Sequence, residues 1–339
     1  MPTPIKMNAL RNGQWIELNE EQVMLLSSSK ARSGREQIFS AQELPQPKAG
    51  SHPHEVRQWL LAYSFLPAKW INRLFSVGGI RWEGTSLQLL TFPAADVNVD
   101  PVYRKAKLPE FKSNVSAPEV LYEDDFCLVL HKPAGMPVHE SAPGQRGTLD
   151  EAAARHLLLR GDPLPVRHIH RLDDETSGPV LYSKNDFAQW MLDEAMRQKE
   201  IDRRYIAVVH GKVQPKSGTI DKPIGKDRHH KARRRVHEGG EHAVTRFETV
   251  EAYQSASIVR LTLETGRTHQ IRVHMSHIGH PLVGDSLYGG SNGLLAHQAL
   301  HGERLLFRHP WNGDELDIAA PWPGWLKKLV ADVRSRAKS

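Results

Sequence analysis

A chain of 339 residues with 39% hydrophobic and 25% charged residues has the make-up of an ordinary globular protein, with length enough for two domains. No apolar run approaches the ~20 residues of a membrane span, and Met1 to Lys6 lacks the apolar core of a secretion signal, so the expected location is the cytoplasm. A single cysteine excludes an internal disulfide, and the formal charge of +6 suggests a polyanionic partner without separating RNA from DNA or acidic protein.

Residues 1–50 read as an N-terminal extension. Trp15 to Leu18 is a short strand, Ser27 to Arg35 a polar, basic loop, and Gln46 to Ser51 a linker. Residues 51–95 form a compact unit. Val56, Leu60 and Leu61 mark one helical face, and Trp70, Ile71, Leu74 and Phe75 another; Gly78 and Gly79 close the second helix. Ile80 to Thr85 follows as strand and turn. Helix, helix and the short Ile80-x-Trp82-x-Gly84 strand resemble an S4-type RNA-binding module, with only Lys69 and Arg73 as cations between Pro67 and Ser76. A small docking domain is the other reading. Residues 96–118 are expected to be a linker.

A second domain, 119–325, is expected to begin with strand and turn at Val120 to Phe126. A buried strand from Phe126 to Leu130 holds Cys127 as an inert thiol. His131 to His139 is a tight loop, and Thr148 opens a helix. His168 to Gly178 then gathers two imidazoles, a guanidinium and adjacent carboxylates, and closes in the turn-forming Thr176-Ser177-Gly178. Pro179 to Tyr182 reads as a strand, so Asp173 falls on a loop entering a sheet. From these residues alone, an ion pair of Arg171 with Asp173 or Asp174 tying down a surface loop is the plainer reading. Asp186 to Lys199 is an amphipathic helix with Phe187, Trp190, Met191, Ala195 and Met196 toward the core. Arg203 to Gly211 is a strand and 218–225 a hairpin-like segment. The run from Lys226 to His237 sets Lys226, Arg228, Lys231, Arg233, Arg234 and Arg235 against one acid, Asp227. Thr245 to Val250, Ser257 to Leu263 and Gln270 to His274 alternate as strands, which would give Gln270, Arg272 and His274 one polar face. A cationic helix ends the chain, set apart from the domain as a basic tail, 326–339. Short strands with few helices between them predict an α+β fold with a mixed, largely antiparallel sheet, beside a small α/β N-terminal domain.

Arg171-Leu172-Asp173, inside His-Arg-Leu-Asp-x-x-Thr-Ser-Gly, resembles a signature of the RluA-type RNA pseudouridine synthases. A second signature, Thr265 to His274 continuing through Gly279 to Asp285 and on to Tyr288-Gly289, lies at the separation that family has. The resemblance spans roughly residues 117–322. It implies isomerisation of uridine to its C-glycoside in structured RNA without a cofactor, with large-subunit rRNA favoured over tRNA by the S4-like unit. It assigns the nucleophile or base at the sugar to Asp173. A carboxylate held away from water drifts above about 3.9 unless a cation opposes it; the resemblance gives that cation as Arg272. Tyr205, in the basic-x-Tyr-x-Ala-x-Val pattern, is the expected stacking platform for the extruded uracil. Arg171, assisted by His170, is expected to fill the vacated base stack. Arg267 and the six cations from Lys226 to Arg235 are expected to meet RNA. His131 stands where the family has Asn, and Pro179 where it has an aliphatic. A noncatalytic RNA-binding adaptor of the same fold is one alternative. A metal site on His274, His277 and His280, with His168 and His170, is another, and Gly279 and Pro281 argue against it by breaking any helix that would gather them. No metal, membrane or obligate protein partner is expected.

Overall fold

The computed structural model describes residues 10–28, 44–109, 117–290, 293 and 295–336. At the N-terminus, β1 (Leu10–Asn12) and β2 (Trp15–Leu18) turn about Gly13 and lead into α1 (Glu20–Ser28). Helices α2 (Pro53–Tyr63) and α3 (Ala68–Ser76) precede β3 (Ile80–Glu83) and β4 (Ser86–Leu90). His52 and Glu55 form a capping box at the start of α2, where Pro53 supplies a pre-set first turn. The four strands make one antiparallel sheet in the order β1-β2-β4-β3. A division at residue 50 therefore does not hold: β2 pairs with β4 along Trp15 to Leu18, so residues 10–18 belong to the unit they were expected to precede. Residues 29–35 of the expected basic loop lie outside the described residues.

This unit shares its core with the rest of the molecule. Ile16, Leu18, Leu60, Trp70 and Leu89 are buried in one cluster with Phe126, Phe187 and Trp311. The ring centroids of Trp70 and Phe187 are 5.1 Å apart. The two cations that suggested RNA binding face this contact: Lys69 lies 5.2 Å over the Trp190 ring and Arg73 pairs with Asp186. The expected linker is also partly structured. It holds α4 (Pro101–Ala106), capped by Asp100, and the buried Tyr103 hydroxyl donates to Leu164 O at 2.5 Å. Asp100-Pro101 is a cap followed by a first-turn proline, a start signal lying within the sequence.

The second domain runs β5 (Glu119–Glu123), β6 (Cys127–Lys132), α5 (Leu149–Leu159), β7 (Arg167–His168), β8 (Gly178–Ser183) and α6 (Asp186–Arg197). It continues with β9 (Asp202–His210), β10 (Ser217–Asp221), β11 (Ile224–Lys226), β12 (Arg234–Val236), β13 (Val244–Ala252) and β14 (Ala256–Leu263). Then come α7 (Gln270–His277), a 3-10 turn at Ser286–Tyr288, β15 (Leu300–Arg308), β16 (Glu315–Ala319) and α8 (Gly324–Arg336). Thr148 and Asn185 cap α5 and α6 by accepting from Glu151 N and Ala188 N.

Two antiparallel sheets form the body, in the orders β5-β6-β8-β7 and β10-β13-β14-β9-β15-β16. They meet at the end of the Asp173 loop. Ser177 bridges His301 in parallel, and Gly302 N donates to Ser177 O at 2.7 Å. A Cβ on Gly178 would stand 2.6 Å from Gly302 Cα, so backbone packs directly on backbone there. Pro179 faces His131 on one side, and β7 reaches only Tyr182 and Ser183 on the other, so Pro179 has no second strand asking for its missing N–H.

Three sequence expectations fail in this domain. Residues 218–225 are not a hairpin: β10 pairs with β13, and β11 with β12. The expected C-terminal helix is α8, but it is no separate tail: its Leu326, Leu329, Val330 and Val333 pack on Ile206, Val208 and Ile258. Residues 270–274 are helix, not strand. Gln270 to Met275 are all buried, so their alternation marks no single face, while Ile271 and Met275 keep the i, i+4 spacing of a helix and share one core cluster. Arg272 and His274 consequently point to different neighbours. His274 bonds Thr245 Oγ1 and Lys222 O, both at 2.9 Å, and His280 Nδ1 bonds His210 O at 2.9 Å, so these imidazoles do not converge.

Candidate active site

The Asp173 loop joins β7 to β8 and is gripped from beneath. Thr176 N donates to Asp173 O at 2.9 Å and closes the turn. Lys132, fully buried at the end of β6, donates to Asp174 O at 2.7 Å and Met136 O at 2.6 Å, and Gly135 N reaches the same Asp174 carbonyl. Burial pulls the Lys132 ammonium down to about 7, against the pull of Asp174, Asp173 and Glu175. His170 lies on the inner side of the loop: it is buried, and its Nε2 accepts from Leu181 N at 3.3 Å. Burial, then Arg203 and His168, lower its pKa to about 3. A neutral, enclosed imidazole cannot assist at an RNA stack, so that expectation for His170 is corrected. Arg171 is exposed and lines the cleft.

Across the cleft, Arg272 rises from α7. Its Nη1 donates to Asp173 Oδ2 at 3.0 Å, while Nε and Nη2 grip the two oxygens of Asp285 at 2.7 and 3.0 Å. The Tyr288 ring lies 5.0 Å from the guanidinium carbon. Burial works against the Arg272 charge, but Asp285 and Asp173 more than offset it and its pKa is raised. The turn before α7 is set by Gln270, whose Oε1 accepts from Arg267 N at 2.9 Å and whose Nε2 donates to Val244 O at 2.9 Å. His269 sits in that turn with φ +58, a left-handed conformation uncommon outside glycine. Arg234 N donates to the Tyr288 hydroxyl at 2.9 Å, which leaves that hydroxyl to donate to His269 Nδ1 at 2.8 Å. The other ring nitrogen of His269 lies 3.8 Å from Asp173 Oδ2.

Tyr205, buried on β9, forms a wall of the same cleft, together with Asp173 and Arg272. Burial raises its phenol pKa, Arg203 opposes the rise and Asp173 adds to it. Arg267 also lines the cleft, but it pairs with Glu241 and its Nε donates to His242 O at 3.0 Å. The basic run forms the β11–β12 hairpin. Lys226, Arg228 and Lys231 are exposed, Arg233 is exposed but paired with Asp227 at 3.2 Å, and Arg234 and Arg235 are half-buried. A second depression, lined by Lys226 and Arg234, adjoins the cleft through Gly266 to Thr268.

The structure therefore brings Asp173, Tyr205 and Arg272 around one cleft, with Arg171 and Arg267 at its wall. Reading the sequence missed Lys132, His269, Asp285 and Tyr288, though the last three lie inside the second signature and Lys132 follows His131, the position already compared with the family's Asn.

Two antiparallel sheets fused beside a carboxylate–guanidinium cleft define a pseudouridine synthase architecture. Residues 126–277 match the family model described as RNA pseudouridylate synthase. The chain is 47% identical over 214 residues to the uncharacterized RNA pseudouridine synthase YhcT of Bacillus subtilis, covering 62% of this chain and 70% of that one. It is 33% identical over 263 residues to ribosomal large subunit pseudouridine synthase D of Nitrosomonas europaea, covering 75% and 73% of the two chains. In fold it resembles the human RNA pseudouridylate synthase domain containing 4, with a TM-score of 0.53 and 24% identity over 63% of this chain and 92% of that one. The chain belongs to the RluA-type RNA pseudouridine synthase family and is an isomerase acting on RNA.

Proposed function

We propose that Asp173 is the group that attacks at the sugar, or acts there as base, while a uridine everted from RNA occupies the cleft. The N1–C1′ bond breaks, the freed uracil turns, and C5 joins C1′; C5 then loses its proton and N1 carries one, so the product is an isomer of the substrate. Arg272 keeps the carboxylate charged as water is displaced. Tyr205 gives the uracil a flat apolar wall and sets a protonated hydroxyl near the ribose. Arg171 occupies the gap left in the RNA stack, and the β11–β12 hairpin with Arg267 holds phosphates. The single observation that carries this reading is the 3.0 Å contact of Arg272 with Asp173 in a cleft walled by Tyr205.

The favoured target is large-subunit rRNA, as the name of the Nitrosomonas europaea relative suggests, and the expected compartment is the cytoplasm. The N-terminal unit is read as a docking domain, because Lys69 and Arg73 are engaged at the contact with α6. The test is to map pseudouridines in cellular rRNA and tRNA with and without the gene, then to complement with Asp173→Ala. Complementation by the alanine variant overturns the assignment of Asp173. Loss confined to tRNA overturns the choice of rRNA.

A further inference from the structure

Four arginines line the cleft, and they differ in what neutralises them. Arg272 is gripped by Asp285 and Asp173, and Arg267 by Glu241 and the His242 carbonyl. Arg171 is exposed and solvated. Arg203, at the start of β9, has no such carboxylate or carbonyl partner among the described residues. It is half-buried, its Nε is cut off from water without a partner, and among the described residues no hydrogen bond or ion pair reaches its guanidinium. A half-buried guanidinium with one donor unpaired and no anion beside it stands to gain from an anionic ligand. Gly266 is the guanidinium's close neighbour: a Cβ there would stand 2.8 Å from Arg203 Nη1 and would push the group aside. Its charge is felt on both sides. After burial, it is the next influence lowering the His170 pKa, and it opposes the rise that burial imposes on Tyr205.

We infer that Arg203 is the phosphate anchor of this site, its planar fork taking two oxygens of the phosphodiester on the 5′ or the 3′ side of the uridine in the cleft. A guanidinium matches that oxygen pair in shape and charge, and the ligand supplies the anion the protein withholds. Arg203 stands two residues before Tyr205 on one strand, so gripping the phosphate also fixes the ribose against the Tyr205 wall. This rests on the reading that the cleft receives a uridine of RNA.

The experiment is calorimetric titration with uridine, uridine 5′-monophosphate and uridine 3′-monophosphate. Wild type, Arg203→Gln, Arg203→Lys and Arg204→Gln are compared. One monophosphate should bind wild type about tenfold tighter than the nucleoside, the usual worth of a charged hydrogen-bonded contact. The gain should vanish in Arg203→Gln, shrink in Arg203→Lys and persist in Arg204→Gln, where the altered side chain pairs instead with Asp202. Which monophosphate shows the gain identifies the side. A wild type that binds neither monophosphate better than uridine overturns the proposal, as does a gain that survives in folded Arg203→Gln. If that variant melts early, an undiminished gain in Arg203→Lys overturns it instead. Failure of the catalytic reading looks different: Asp173→Ala would complement in cells while the phosphate gain stayed intact.

Discussion

Replacing Arg272 with Met separates two roles that a simple activity loss would confuse. The Arg272 side chain is 9% exposed and that of Asp285 1%. A methionine there would abandon the Asp285 carboxylate in that interior, and breaking a buried pair from one side costs about 3–5 kcal/mol. Against a typical total of about 5–15 kcal/mol, the variant would be marginal. Asp173 suffers less, because its side chain is 26% exposed and water can take over part of the stabilisation. Adding Asp285→Asn removes the stranded charge, so the double variant should regain most of the lost stability. It should not regain turnover, since nothing then steadies the Asp173 charge, and single-turnover pseudouridine formation should stay down by about 100-fold or more. Urea unfolding of wild type, both single variants and the double variant closes the cycle. The reasoning fails if Arg272→Met unfolds at the wild-type midpoint, or if the double variant recovers activity along with stability.

Tyr288→Phe deletes the hydroxyl between Arg234 N and His269 Nδ1 and should cost about 1–2 kcal/mol, read as a lower thermal midpoint. Acid should destabilise the fold well above the carboxylate range. His170 and His301 are buried neutral, with pKa values lowered to about 3 and about 4 chiefly by burial, so below ~6.5 the unfolded chain binds the protons. Stability should be fully present at pH 7 and fall by about 2 kcal/mol per histidine at pH 5, measured by urea unfolding at the two pH values. Converting Lys226, Arg228 and Lys231 to Gln should flatten the dependence of RNA affinity on salt by roughly 0.7–0.9 log units for each phosphate no longer neutralised. Arg233→Gln should flatten it less, because Asp227 already neutralises that guanidinium.

The site was legible where the chemistry lies in a few consecutive residues. Asp173 and Arg272 stand 99 positions apart, yet each sits in a short ordered motif, and the fold sets them 3.0 Å apart. What a motif cannot disclose is the partner reached by folding back. Asp285 meets Arg272 only because α7 and the turn after it reverse the chain. His170 gave no sign of its burial, since an imidazole beside Arg171 reads equally well on either face of a loop. The α7 misreading has a plain cause: over five residues, a segment buried all round looks like an alternating one. The N-terminal sheet failed for a related reason: the register of β2 on β4 joins Leu18 to Leu87, and helices α1 to α3 separate the two along the chain, so local patterns do not report the pairing. The cap and proline at Asp100-Pro101 were readable and went unread.

The backbone-on-backbone junction of Gly178 with Gly302 bears on who must yield when protein meets transcript. Asp173 hangs five residues from a weld between two sheets, on a loop that Lys132 and Gly135 also hold through the Asp174 carbonyl, so it has little freedom to shift. In the role proposed for Asp173, the carboxylate would act as a fixed anvil, and the distortion needed for catalysis would fall on the nucleic acid. Selectivity then follows from how readily a given stretch of RNA surrenders its uridine, and loosely stacked loops and bulges become the natural hunting ground of such a mould.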